Sequence, residues 1–521
     1  MPISVDFNGR PFHFIGIGGI GMSALAYVLT KRNLPVSGSD LRLTHITRRL
    51  NEAGAHIFWQ QEAANLDYFL GSPQSLPQTS PRAEFSTLAG AKNQPAGPEN
   101  SPKGWPNTPQ VVCSTAIDRL NPEYQAALEL GCPILHRSDL LAALITEYQS
   151  IAVAGTHGKT TTSSMIGHLL LNAGLDPTIV VGGEVSSWGG NARMGQGPYL
   201  VAEADESDGT LAKLSAAIGV VTNIELDHTD HYRDLDDVVD IFKTFQRQCN
   251  LLVASLDCDV VRTSLNPAIT YSLREDAGAT YFATDIQFHA NGTTATVWER
   301  GQPVGQLNLG LLGQHNLSNA LAAVAVGRQL GVPFANIADI LSQFHGARRR
   351  FEHRGHYGGI QFVDDYAHHP SEVRATLAAA RLRIGQPLMP IIVDGHRSPA
   401  EPRRVVAVFQ PHRFSRTAAL IEDFTTAFSD ADQVIMADIY SAGEANTFGV
   451  SGEQLAAAVA HHHPGVVYAP TLDDVQAALT TSLRPGDLVL FMGAGNLNQI
   501  IPEVMAYYAE AAEVPSLQEA C

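Results

Sequence analysis

The sequence predicts an α/β protein made of three units in series, and three observations carry that expectation. A chain of 521 residues is too long for one ordinary core and fits about three units of roughly 150 residues each. Strand-like and helix-like runs alternate along it, the pattern of sheets covered by helices. Two glycine-rich turns of different type, Gly16-Ile-Gly18-Gly19-Ile-Gly21 and Gly155-Thr156-His157-Gly158-Lys159-Thr160-Thr161, each stand between such runs. The expected limits are 1–148, 149–346 and 347–521.

In the first unit, Pro11 to Ile15 reads as a strand, Met22 to Leu29 as a helix, and Pro35 to Ser39 as a short strand ending in Asp40. That is the first half of a doubly wound unit, with backbone N–H groups and a helix N-terminus turned toward an anion. Residues 71–110 break the pattern with eight prolines and few large apolar side chains. Such a composition buries too little surface to offset its ordering entropy, so a disordered insertion is expected. Val111 to Ala116 resumes as a strand, and Pro122 to Leu130 follows as a helix.

The second unit opens on the strand Ile151 to Ala154, and its helix after Lys159 carries Met165, Ile166, Leu169, Leu170 and Ala173 on one apolar face. Gly174 is placed to end that helix. Further strands run into Glu203 and Asn223. In the third unit, strands are expected near 360–363, 404–409, 433–437 and 487–491, with a second proline-rich insertion over about 385–402.

Composition narrows the function. Thirty-four Lys plus Arg against 52 Asp plus Glu give a net charge of −18, which argues against a broad nucleic-acid or anionic-membrane surface. The five cysteines are scattered and lack CxxC spacing, so they read as reduced cytoplasmic thiols, with Cys113 in the core. The apolar stretch from Phe12 to Leu29 contains His13 and four glycines at nucleotide-binding spacing, so it is not read as a signal peptide or a membrane span.

The second glycine turn adds Lys159 for terminal phosphates and Thr160 for a magnesium ion. It is shorter than the general phosphate loop, whose first glycine would fall at Val153. Glu203, Asp205, Glu206 and Asp208 lie within six residues; they suit a hard cation, although a solvated acidic loop reads the same way. His228 follows a strand beside a further acidic segment and is a candidate ligand or a plain loop residue. Asn316 and Asn319 are three apart and can offer paired amides to a base edge, or Asn316 can cap its helix. Asp365 with Tyr366, His368 and His369 suits ribose and phosphate, while His412, Arg413 and Arg416 suit a carboxylate, since guanidinium binds it bidentately.

In this order, GIGGIGMSALA, AGTHGKTTT, AEADESD, TNIELDH, GQHNLSNALAA, ARRRF, DDYAHHP and FQPHRFSRT resemble the Mur ligase family of peptidoglycan synthesis. The resemblance covers nearly all the chain outside the two insertions, and it is strongest to the alanine-adding branch. It implies a Rossmann-like N-terminal domain, a central P-loop-type ATPase domain and a Rossmann-like C-terminal domain. It implies that Gly16, Gly18, Gly19 and Gly21, with Asp40, serve the nucleotide sugar. Gly155 to Thr161 would hold ATP, with Asn316 and Asn319 at adenine, Arg349 or Arg350 at the domain junction and Asp365 at ribose. Thr160, Glu203 and His228 would hold magnesium, Tyr366 and His368 would contact substrate, and His412, Arg413 and Arg416 would receive the amino acid. Lys243 lies where several relatives carry a carbamylated lysine, a feature not expected of this branch.

The implied reaction joins L-alanine to the lactyl carboxylate of UDP-N-acetylmuramate through an acyl phosphate, in the cytoplasm, with catalytic weight on Lys159, Glu203, His228, His412 and Arg416. Three alternatives stay open. One is a muropeptide-recycling ligase of the same family. Another is a nicotinamide-dependent dehydrogenase, for which Asp40 would be the ribose acid. The third is a non-catalytic regulator that responds to a nucleotide sugar and binds without ADP release. The sequence leaves monomer or weak dimer undecided.

Overall fold

The computed structural model describes residues 5–70, 108–229, 231–384, 392–393, 396–397 and 404–513. Most of both expected insertions lies outside these residues. The first ends earlier than expected, because Gln110 is fully buried and opens the strand Gln110–Cys113. Cys113, expected in the core, is only partly buried at the end of that strand.

The first sheet is wholly parallel, in the order His56–Phe58, Val36–Ser39, Phe12–Ile15, Gln110–Cys113, Ile134–His136. Phe12 and Phe14 are fully buried, as expected of a strand covered on both faces. The helix Pro122–Glu129 starts where Asn121 accepts from the N–H of Glu123 at 2.9 Å, with proline in its first turn. Glu123 itself is buried. Its carboxylate is matched by Ser39 Oγ at 2.5 Å, Asn65 Nδ2 at 2.6 Å and His13 Nε2 at 3.2 Å, which offsets the cost of desolvating it.

The second sheet has ten strands among the described residues, more than the sequence pattern marks. Its seven-stranded parallel body runs Thr178–Val185, Tyr199–Glu203, Gln149–Ala154, Ile218–Val221, Leu251–Ser255, Ile269–Ser272, Tyr281–His289. An antiparallel strand, Gly190–Arg193, closes one edge, and the antiparallel strands Gly292–Glu299 and Gln302–Leu309 extend the other. The helix Lys159–Asn172 packs Met165, Ile166, Leu169 and Leu170 into the core, all fully buried, and Gly174 follows it in a left-handed conformation.

The third sheet runs Glu352–Tyr357, Ile360–Asp365, Leu488–Met492, Val405–Phe409, Gln433–Met436, Val466–Tyr468, parallel except at its first strand. In each unit the loops at the carboxyl ends of strands face a shared crevice, where ligands collect in open α/β sheets. Among the described residues no helix is long and apolar enough to cross a membrane.

Candidate active site

A cleft of about 1120 Å³ is lined by all three units. The first contributes Gly19, Gly21 and Arg137, the second Thr156, Gly158, Lys159, Thr160, Glu203, Asp205 and His228, and the third Arg350, Tyr366, His368, His412, Arg413 and Arg416. Residues separated by hundreds of positions thus share one cavity.

The first glycine turn differs from its expected use. The N–H groups of Gly16 and Ile17 donate to Ser39 O, that of Gly18 to Asp40 Oδ2 at 2.9 Å, and that of Gly19 to Gly16 O. Donors available to an anion therefore begin at the helix Ile20–Lys31, whose first intrahelical bond runs from Ser23 N to Gly19 O. Asp40, expected among the substrate contacts, has its other oxygen on the N–H of Arg42 at 2.9 Å. Both oxygens hold the turn in shape, which gives Asp40 a local structural role. Arg137 was not anticipated. It stands beside Gly21 and pairs with Asp205 at 2.7 Å, across from the second unit.

The phosphate loop is held by the strand end that follows Ile218–Val221. Thr156 N donates to Asn223 O at 3.1 Å, His157 N to Asn223 Oδ1 at 2.8 Å, and Thr222 Oγ1 to His157 O at 2.6 Å. Gly155 takes φ +137°, and a Cβ there would lie 2.0 Å from Thr222 Oγ1. We expect Gly155→Ala to cost about 1–3 kcal/mol from backbone strain alone, measured as a fall in unfolding midpoint together with loss of ATP binding. An unchanged midpoint and affinity would contradict this account of the loop.

Lys159 Nζ donates to Gly155 O at 2.6 Å, Thr156 O at 3.0 Å and Glu206 Oε1 at 2.7 Å. Burial pushes the Glu206 carboxyl up to about 7, against the pull of Lys159. Its Oε2 is buried without a hydrogen-bond partner. Thr160 Oγ1 donates to Glu203 Oε1 at 3.1 Å, and Gly182 N to Glu203 Oε2 at 2.7 Å. His228 faces Glu206 and Asp227 at 3.9 and 3.8 Å, and burial lowers its pKa. Oxygen donors with an unmatched carboxylate oxygen fit a hard cation such as magnesium. Glu206, one of the four carboxylates that the sequence offers to a hard cation, has an oxygen left unmatched. Lys243 lies elsewhere, about half exposed on the helix Leu235–Gln248 and 3.4 Å from Asp240.

Asn316 and Asn319 are both buried on the first turns of the helix Gln314–Gln329. Asn316 Nδ2 donates to Leu312 O at 2.8 Å, and Asn319 packs against Gly158. Asp365 accepts from the N–H groups of Phe351 and Ala367, both at 2.7 Å. Burial nevertheless pushes its carboxyl up to about 6. The guanidinium groups of Arg349 and Arg350 lie 4.9 and 5.2 Å from the ring of Tyr366.

In the third unit, Arg416 Nε donates to Asp227 Oδ1 at 2.7 Å with both side chains buried, and Arg416 Nη1 lies 3.2 Å from His412 Nδ1. His412 stacks on Tyr440 and stands next to His368. Burial, with arginines nearby, lowers His368 to about 4 and His412 to about 3. The site therefore presents neutral imidazoles beside fixed cations. Glu372 was also missed: it accepts from His368 N at 3.1 Å and lies 3.4 Å from His157 Nδ1. Four non-glycine residues here, His228, Arg349, Phe351 and Arg413, have φ between 51° and 71°, a left-handed conformation that collects at functional sites.

A phosphate loop, a cation cluster and a second glycine turn in one cleft define a protein that handles two phosphate-bearing molecules together. Comparisons with known proteins agree. Family models match in sequence: the Mur ligase family catalytic domain over 11–149, the Mur ligase middle domain over 153–327, and the Mur ligase glutamate ligase domain over 349–495. The chain belongs to the Mur ligase family. A UDP-N-acetylmuramate–L-alanine ligase of Nostoc punctiforme is 59% identical over 517 residues, covering 99% of this chain and 100% of the relative. Its counterpart in Synechococcus elongatus is 55% identical, with 98% and 99% covered. The crystal structure of a UDP-N-acetylmuramate–alanine ligase from Thermotoga maritima matches with a TM-score of 0.74 and 26% identity, over 96% of this chain and 100% of that one.

Proposed function

We propose that this chain joins L-alanine to UDP-N-acetylmuramate at the expense of ATP, an amide-forming step of peptidoglycan synthesis. The carrying observation is the single cleft shared by the phosphate loop, the first glycine turn and the arginine–histidine set of the third unit. In this reading residues 1–148 hold the nucleotide sugar, 149–346 hold ATP, and 347–521 close over both and admit alanine. The reaction is placed in the cytoplasm.

A lactyl carboxylate oxygen attacks the γ-phosphorus, forming an O–P bond as ADP leaves. The neutral amine of alanine attacks the acyl carbon, the C–N bond forms, and phosphate departs with the former carboxylate oxygen and takes up the proton that the nitrogen releases. Lys159 exchanges its contacts with the loop carbonyls and Glu206 for phosphate oxygens. Thr160 and Glu203, with Glu206 and His228 beside them, would hold magnesium, which when bound offsets charge on the transferring phosphate. Arg413 and Arg416 orient the alanine carboxylate, and the uncharged imidazoles of His368 and His412 leave the amine unopposed by further positive charge. Catalysis is then mostly positioning and electrostatics, with water excluded so that the acyl phosphate survives.

Phosphate release from ATP, measured with UDP-N-acetylmuramate and with or without L-alanine, tests this reading. No ATP consumption with all three present would sink it. An intact tripeptide used in preference to alanine would favour the recycling reaction instead. Selection of alanine over glycine rests on one methyl, worth about 1–3 kcal/mol in an apolar pocket, so glycine is expected to be used about 10–200-fold less efficiently. Competition kinetics check this, and complete rejection of glycine would require more than a simple pocket.

A further inference from the structure

We propose that His157, Glu225 and His369 form a site for one divalent transition-metal cation of the zinc class, separate from the cation cluster around Thr160 and Glu203. The three ligand atoms lie within 4.8 Å of one another. His157 Nε2 is 3.4 Å from Glu225 Oε2, and His369 Nδ1 is 3.8 Å from the same oxygen. Ligands about 2.0–2.1 Å from a tetrahedral zinc are roughly 3.4 Å apart, so two of the edges are near their bound lengths. Two imidazoles and one carboxylate form a borderline-soft donor set that suits zinc and its neighbours and is unlike the all-oxygen shell of magnesium.

The surroundings are those of a built site. A metal-bound histidine donates its remaining ring N–H to a carboxylate or carbonyl that fixes its orientation. His157 Nδ1 has Glu372 Oε1 at 3.4 Å, and His369 Nε2 has Leu226 O at 3.4 Å. Glu225 Oε2 accepts from Ser371 Oγ at 2.6 Å. His157 Nε2, the atom that would ligate, is buried and has no hydrogen-bond partner. His369 Nδ1 accepts one long bond, from Ser371 N at 3.2 Å, which the cation would replace. Three protein ligands leave a fourth position for water. Because His157 belongs to the phosphate loop and His369 to the third unit, the bound cation ties the two together.

The test is titration of the whole chain with zinc chloride in excess magnesium, read by calorimetry and by X-ray absorption at the zinc edge. We expect one zinc per chain with two imidazole ligands, unchanged in Glu203→Gln. In Glu225→Gln and His369→Gln we expect affinity lost by more than the roughly 10–100-fold that removal of an outer-shell partner costs. Circular dichroism confirms folding; should His369→Gln fail to fold, Glu225→Gln, a neutral isostere of a side chain that is 40% exposed, decides alone. No zinc bound, undiminished binding in these variants, or loss of binding in Glu203→Gln would each overturn the proposal.

Discussion

Replacing Lys159 with alanine is expected to lower kcat by about 1000-fold, the scale of losing one preorganised electrostatic donor to the reacting group, while leaving the chain folded. Lys159 sits where the strand Gln149–Ala154 ends and the helix Lys159–Asn172 begins. Its ammonium is already oriented by two loop carbonyls and Glu206. A buried charge that loses its partner is normally costly. Here the cost is limited, because burial has pushed Glu206 to about 7 and a proton can take the place of the lysine. The phosphate-release assay and a thermal melt separate the two effects. Near-normal turnover would remove Lys159 from the reaction, and a collapsed melt would mean that it serves mainly to hold the fold.

The second large effect is expected at Arg416. Its ion pair with Asp227 joins the third unit to the second, and the two side chains are 4% and 5% exposed. Arg416→Met leaves the Asp227 carboxylate, held well below the usual range by burial-opposed attraction to Arg416, without its counter-charge. Breaking such a pair costs about 3–5 kcal/mol. At about 2–4 °C per kcal/mol for a unit of 150–250 residues, the unfolding midpoint should fall by about 6–20 °C, and ligation should fail with it. Adding Asp227→Asn should recover much of the stability and none of the activity. If the double variant is as unstable as the sum of the singles, the pair is not the reason for the loss.

How far the sequence could be read depended on the range of the interaction. The strands that begin each unit, the two glycine turns and the helix after Lys159 were legible because each is a local pattern: an apolar run, a turn needing positive φ, a helix face. The antiparallel strands of 281–309 were missed. Exposure alternates along Tyr281–His289 and Gly292–Glu299 in the structure, but no motif marked these strands in the sequence. The first glycine turn was found, yet its donors were misassigned, because Ser39 and Asp40 accept from it only once the neighbouring strand is in register. Arg137 and Glu372 were overlooked for the same reason. Arg137 meets Asp205 across 68 residues, and no local feature of either predicts that.

The sequence alone therefore determined the order of the three units, the phosphate loop with Lys159, and the chemical types of side chain available for the reaction. These follow from backbone sterics and spacing within a few residues. Only the tertiary structure decided which side chains meet: Arg416 with Asp227, Arg137 with Asp205, and His157 between Glu225 and Glu372. Those pairings arise where the carboxyl ends of three separate sheets converge, and the partial burial there makes each charge depend on a partner from another unit.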